Sequence, residues 1–147
     1  MAHARQTIRE QVGTTLTGLT TTGSNVFQSR VYPLQESNLP ALLIYTKEES
    51  SEAIVMGSNR VIERELTLAV EAYVKTNTNS DDTIDTIAEE VETAIGADST
   101  LNNKAKDVFL VSTDINYVGE GENPVAVATL NFLVSYCTDE TNPSQLR

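Results

Sequence analysis

Apolar residues recur at helical spacing in two stretches of the chain. Ile8, Val12, Leu16 and Leu19 follow one another at intervals of four, four and three residues, which predicts an amphipathic helix over residues 4–19. A second helix is predicted over residues 79–95, because acidic residues fill its first turn and its apolar positions share one face. That face consists of Ile84, Ile87, Ala88, Val91 and Ile95. Each helix therefore has one face to bury against a partner.

Alternation of apolar and polar residues predicts three long strands, over residues 60–74, 108–117 and 125–136. The last two form a hairpin, because the link at 119–124 is rich in glycine and ends in proline. In the strand over 108–117, one parity is apolar, with Phe109, Val111, Ile115 and Tyr117.

Shorter extended segments are predicted before these strands. A continuous apolar run at 41–45 predicts a strand buried on both faces, and a short extended segment is expected over 26–32. The stretch 60–74 is long for a strand, so its beginning is expected to project as a hairpin arm with residues 54–56, turning at 57–59.

The polar stretches are interpreted as loosely held. Residues 47–53 are acidic and serine-containing, so we expect a flexible loop near 47–59 and a frayed polar tail over 138–147. A chain of 147 residues fits one domain. The predicted fold class is α+β, with two helices packed on one face of a mostly antiparallel sheet and a long β-hairpin arm. Its core is expected to include Ile8, Val12, Leu16, Leu68, Val70, Ile84, Ile87, Val91, Leu130 and Phe132.

Charge excludes several classes of function. The formal net charge is −11, with 21 acidic residues against 10 basic ones, which argues against a nucleic-acid binder and against binding to an anionic membrane. No apolar run approaches the roughly 20 residues that span a bilayer, and residues 1–10 contain no apolar signal core. A single cysteine, Cys137, cannot form an internal disulfide. We therefore expect a chain that is cytosolic in origin, or independent of an oxidising compartment, and that makes no membrane contact.

Residue types that carry chemistry are sparse. The one histidine, His3, lies near the chain start, and no histidine is close to Cys137 in sequence. Asp81, Asp82 and Asp85 lack the glycine and terminal glutamate of a calcium loop, and helix capping explains the first two. The glycines at 119 and 121 are flanked by glutamates that would repel phosphate. The sequence therefore predicts no catalytic, cofactor or metal site, and no enzyme.

The order of elements resembles the tail terminator (tail completion) family of long-tailed bacteriophages. The segments that carry the resemblance are RQTIR (5–9), VFQSRVYP (26–33), LPALLIY (39–45), RELTLAVE (64–71), DTIDTIA (82–88) and FLVSY (132–136). These are patterns of packing, and the ordered set is what resembles the family. The resemblance implies one tail-terminator-like domain over 1–147 and a hexameric ring at the head-proximal end of the virion tail. Such a ring caps the tail tube protein, stops its polymerisation and presents a surface for head-tail connector or neck proteins.

Each subunit of the predicted ring is expected to contact the tube or a neighbouring subunit through the acidic segment and the strand after it. The proposed contact residues are Glu48, Glu49, Glu52, Ile54, Val55, Met56, Arg60 and Arg64. DNA is expected to pass through such a ring without specific binding. Two alternatives stay open: another head-tail joining ring protein of the neck, and a small acidic enzyme or cellular binding module. An enzyme would need a pocket with converging polar groups.

Overall fold

The fold is a mixed sheet with two helices, seen in a computed structural model that describes residues 2–28, 40–54, 57, 60–75, 80–118 and 125–146. The described elements are α1 (Ala4–Leu16), β1 (Val26–Phe27), β2 (Ala41–Ala53), β3 (Val61–Lys75), α2 (Ser80–Gly96), β4 (Asp107–Val118), β5 (Val125–Asp139) and β6 (Asn142–Leu146). Within these residues no helix is long and apolar enough to cross a membrane.

The six described strands form one sheet in the order β1-β2-β3-β5-β4, and β6 pairs with β5 beyond the end of β4. The β1–β2 pair is parallel, and the other pairs are antiparallel. The predicted α+β class is confirmed. The predicted hairpin of β4 with β5 forms, and β2 pairs antiparallel with β3 as far as Ala53 and Ile62. Residues 55, 56, 58 and 59 of the predicted hairpin arm lie outside the described residues, so the arm stays a prediction.

The core lies between the helices and one face of the sheet. Every residue predicted for the core is buried, and Leu68, Val70 and Leu130 are fully so. Strand residues of one parity join the helices in this cluster, while the alternate residues project from the opposite side. We call that opposite side the open face. Helix α1 lies over β1, β2 and β6, and α2 lies over β3, β4 and β5.

Two β-bulges change the parity of their strands. The β2–β3 register shifts between Thr46 and Glu48, and the β4–β5 register shifts between Leu110 and Ser112. A bulge inserts one residue, so the side chains beyond it lie on the opposite face from the one that uninterrupted alternation would give them. After the first bulge, Glu49 pairs with Leu66 and shares its helix-facing side, which uninterrupted alternation would not produce.

Three sequence predictions are wrong in detail. Residues 47–53 are not a loop but the outer half of β2, because they pair with β3 as far as Ala53 and Ile62. The polar tail is not frayed at its beginning: Thr138 is fully buried in β5, and β6 pairs back onto β5. The first helix ends at Leu16, three residues early, where the extended backbone of Thr17 caps it.

Parity in β4 also differs from the prediction. Val108 is buried, whereas Phe109, Val111, Ile115 and Tyr117 are about half exposed or more. The bulge at Val111 is one reason, since the apolar residues before and after it do not share a face. The other reason is position, because β4 is the last strand at its end of the sheet.

Candidate assembly surfaces

A buried ionic cluster ties the start of α1 to the outer half of the sheet. Glu49 Oε2 accepts hydrogen bonds from Arg5 Nη1 at 2.6 Å and from Arg64 Nη1 at 3.0 Å. The Tyr136 hydroxyl donates to Glu49 Oε1, and Arg64 Nε donates to Thr138 Oγ1 at 3.0 Å. The Glu49 side chain is 9% exposed and that of Arg64 is 14% exposed. The cluster therefore joins α1, β2, β3 and β5 around one shielded carboxylate.

The charges in this cluster set the ionisation of its members. Burial alone would raise the pKa of Glu49, but hydrogen bonds from Tyr136, Arg5 and Arg64 outweigh it and lower the pKa. Burial and the bond to Glu49 raise the pKa of Tyr136 far above its ordinary value. Glu49 is thus held as a carboxylate and Tyr136 as a neutral phenol.

His3 caps the helix that carries Arg5. Its Nδ1 accepts a hydrogen bond from the Arg5 backbone N–H at 3.1 Å. Burial, followed by the charges of Arg5 and Arg64, lowers the pKa of His3, which favours the neutral ring that can accept this bond. Histidine is not among the residues that usually cap the start of a helix, so the sequence did not predict this role.

The predicted contact residues fall into three groups. Glu48, Glu52 and Ile54 are exposed on the outer half of β2 and at its end. Glu49 and Arg64 are engaged in the internal cluster, and Arg60 pairs with Glu140 at 3.2 Å. Val55 and Met56 lie outside the described residues. Of the six residues that the structure describes, Glu49 and Arg64 are turned into the internal cluster and do not share a surface with the exposed Glu48, Glu52 and Ile54.

Carboxylates accumulate on the open face near the β2–β3 turn. Glu52 and Glu63 are directly opposed across the two strands, and Glu65 lies opposite Ser50. Glu48 shares this face, and all four glutamates are exposed. Like charges opposed across strands repel each other, and no ion pair to these four is present within the described part of the chain. This end of the open face is therefore strongly acidic.

Exposed apolar surface is concentrated on β4, a feature that the sequence analysis missed. Its described large exposed side chains are Phe109, Val111, Ile115 and Tyr117, which are 49%, 59%, 50% and 56% exposed. A signal for it was available, because residues 108–111 are apolar at four consecutive positions and so cannot all face one core.

Glutamates line two of the described depressions, one beside Leu19 and one on the open face at Ser50 and Glu63. The depression beside Cys137 has a volume of about 340 Å³ and is lined by Lys104, Lys106 and Tyr136, among others, but by no histidine or carboxylate. Among the described residues, no group of three or more histidine, cysteine, aspartate or glutamate side chains could hold a metal ion.

Extended sheet edges, an acidic face and an apolar strand are features of a protein that acts through its contacts with other proteins. A family model for phage minor tail protein U matches residues 3–136. The chain belongs to that family and is a structural protein of a phage tail. Comparison with curated proteins gives no match.

Proposed function

We propose that this protein is the tail terminator, a ring that caps the tail tube, stops its growth and receives the head. Membership of a phage minor tail family supports a place in the tail, and the resemblance of its ordered segments to tail terminators supports this particular role. The observation that carries the proposal is the presence of two long sheet edges at opposite ends of one sheet.

A ring needs two different surfaces on each subunit, because each copy contacts one neighbour on either side. In the described residues, β4 ends the sheet on one side, and β1 covers only Leu42 and Leu43 of β2 on the other. Among the described residues, no strand pairs with the remaining edge of β2, which contains the exposed Glu48 and Glu52. These two edges supply the pair of surfaces that head-to-tail closure requires.

The open face is the proposed lining of the ring. Its glutamates at positions 48, 52, 63 and 65 would repel the phosphates of DNA that leaves the head through the tail. Repulsion suits a conduit, since each lysine or arginine contact with a phosphate would add affinity and delay release. The acidic surface also keeps the free subunit soluble.

Electron microscopy of tails assembled without this protein tests the proposal. We expect over-long tubes that fail to join heads, and mass measurement of normal tails should find about six copies per tail, as a closed cyclic ring implies. Tails of normal length that fail to join heads would instead assign the protein to head-tail joining in the neck. One or two copies per tail would refute the ring.

The lining is tested separately by reversing charge on the open face. Phage carrying Glu63→Lys and Glu65→Lys, both on the inner strand β3, should build tails of normal length but eject DNA more slowly. Glu89→Lys and Glu92→Lys, which change two exposed glutamates of α2, serve as the control. Unchanged ejection with the open-face variants would leave the acidity with a role in solubility only.

A further inference from the structure

The free edge of β4 is poorly protected against pairing with another strand. Natural proteins protect such edges with charged residues, especially lysine, with proline, with bulges or with a short strand. Strand β4 extends over 12 residues and contains neither lysine nor proline; its protection consists of the bulge at Val111 and of Asp107 and Asp114. Four of the five large hydrophobic side chains that are exposed in the described residues belong to it. A long apolar edge of this kind favours a covered state in the assembled particle.

The opposite edge of the same sheet is polar and acidic. The outer half of β2, from Thr46 to Ala53, pairs with β3 on one side and with no described strand on the other. Its described residues beyond the bulge are almost all exposed, including Ser50, Ser51 and Glu52. One chain thus presents an apolar strand edge at one end of its sheet and a polar, acidic one at the other.

Rotation of a second copy brings these edges together with correct polarity. Strands β2 and β5 run in one direction, and β3 and β4 run in the other, because each adjacent pair is antiparallel. A rotation axis roughly parallel to the strands preserves direction. The β2 of a neighbouring copy would therefore run antiparallel to β4, and its backbone groups could continue the same ladder.

The register across the sheet fixes which residues of the two edges lie at one height. Phe109 pairs with Leu133, Leu133 with Thr67, and Thr67 with Glu48, so Phe109 and Glu48 occupy one level. By the same path Asp107 is level with Ser50, so Lys106 and Lys104, which precede Asp107, lie toward the levels of Ser51 and Glu52. Neither lysine has an ion-pair partner in the part of the chain that the structure describes. The chain has only 10 basic residues, and the positive charges of these two lysines beside the β4 edge are complementary to the glutamates on the β2 edge of the next copy.

We propose that a second copy of this chain covers the β4 edge, with the outer half of its β2 paired antiparallel to β4 and its glutamates beside Lys104 and Lys106. The inference rests on the proposed ring and names the surfaces that close it. Phe109 and the neighbouring Val111 then lie between subunits, and the sheet continues from copy to copy. Ile115 is level with Leu42, which pairs with β1, so the second half of β4 stays outside this pairing.

Cysteine cross-linking in assembled tails tests this pairing. In a Cys137→Ser background, Phe109→Cys is combined in turn with Glu48→Cys, Ser50→Cys or Glu52→Cys, which all lie on the open face and sample three registers. At least one pair should give a ladder of covalent multimers on a non-reducing gel, and each single cysteine should give monomer. Absence of any ladder in tails with the normal number of copies would overturn the proposal. So would dimers from Phe109→Cys alone, which indicate two-fold pairing of β4 strands, or cross-links to the tube protein.

Charged substitutions on β4 give an independent test. Phe109→Lys with Val111→Lys should leave the isolated protein folded, as circular dichroism and thermal melting would show, because both side chains are about half exposed. The same variant should lose incorporation into tails by tenfold or more. Thr86→Lys with Thr93→Lys adds the same charge on exposed positions of α2 and should incorporate normally.

The failure of this inference can be separated from that of the proposed function. If the β4 variant enters tails in the normal number and tail length stays normal, the interface assignment is overturned while termination stands. If tails made without the protein have normal length yet the cross-linked ladder forms in tails that contain a cysteine pair, termination is overturned and the interface stands.

Discussion

Replacing Glu49 by glutamine should destabilise the fold more than a single substitution at any other position of the polar segment 47–53, where the other side chains are exposed. The substitution keeps the shape of the side chain but removes the charge that faces Arg5 and Arg64. It also places an amide N–H₂ where one carboxylate oxygen accepted a bond. Arg64 would then be a largely buried guanidinium without a counter-charge.

The magnitude follows from the burial of the partners. Breaking a buried ion pair by removing one member costs about 3–5 kcal/mol, and a hydrogen bond to a charged group contributes about 1.5–3 kcal/mol. Arg5 is 40% exposed, so water replaces much of its interaction. Glutamine also retains one acceptor for Tyr136. We therefore expect Glu49→Gln to lower the free energy of unfolding by about 2–4 kcal/mol at pH 7.

The pH dependence of this loss provides a signature. The pKa of Glu49 is lower in the folded protein than its ordinary value of 4.5, so its contribution is complete above that pH and disappears as pH falls through the folded pKa. Wild type and Glu49→Gln should differ fully at pH 7, and the difference should shrink as pH falls below 4.5.

Urea unfolding followed by circular dichroism, from pH 7 to pH 3.5, measures both effects. The control is Glu48→Gln, one residue away, exposed and without a described hydrogen bond or ion pair; it should change stability by no more than about 0.5 kcal/mol. A loss below about 0.5 kcal/mol for Glu49→Gln, or a loss that does not vary with pH, would refute the reasoning.

Three further predictions concern the sheet. Leu68→Ala should cost about 2–5 kcal/mol in urea unfolding, because Leu68 is fully buried in the core; a loss under about half a kcal/mol would contradict the assigned parity. Glu63→Lys should stabilise the protein by roughly 0.2–1 kcal/mol, because it replaces a like-charge pair with Glu52 by an opposite one; Glu65→Lys, which faces Ser50, should gain less. Burial and Glu71 raise the pKa of Tyr73 to about 12, so stability that is intact below pH 10 should fall as pH rises toward 12. In a spectrophotometric titration, the phenol that wild type has and Tyr73→Phe lacks should ionise near pH 12. A missing phenol that ionises near pH 10 would contradict the shift.

The helices and long strands could be predicted because burial in them is one-sided and regular. Ile8, Val12 and Leu16 lie one turn apart and are all buried, and alternate residues of β3 from Leu66 to Val74 enter the core. Such periodicity records which face of an element is covered. It identifies an element even when its ends shift by a few residues.

The errors arose where tertiary pairing overrides local composition. Residues 47–53 are acidic and contain two adjacent serines, so their composition favours a loop, but pairing with β3 holds them in a strand. The bulge at Lys47 turns Glu49 toward Arg64, and no spacing rule places a carboxylate on that side. An ionic cluster between residues 5, 49, 64 and 136 depends on contacts across four elements, which the sequence does not display.

The apolar edge of β4 was misread for a related reason. Alternation indicates that one face of a strand is apolar, but it does not indicate whether anything covers that face. Ile115 lies opposite Ala128 on the helix side of the sheet and is still half exposed, because β4 is the last strand beside α2. The position of a strand in a sheet, which decides its exposure, is a property of topology.

Charge and the β4 edge act in opposite directions on self-association in the proposed ring. A net charge of −11 on each copy repels other copies over a Debye length of about 10 Å at 0.1 M salt. Strand pairing acts only at contact, at a spacing of roughly 4.8 Å, so free subunits meet repulsion before they meet attraction. A tube end that holds several copies side by side would overcome that repulsion through its own contacts and let the edges pair. An unprotected apolar edge is therefore compatible with a soluble free subunit, and ring closure would be confined to the end of the tube.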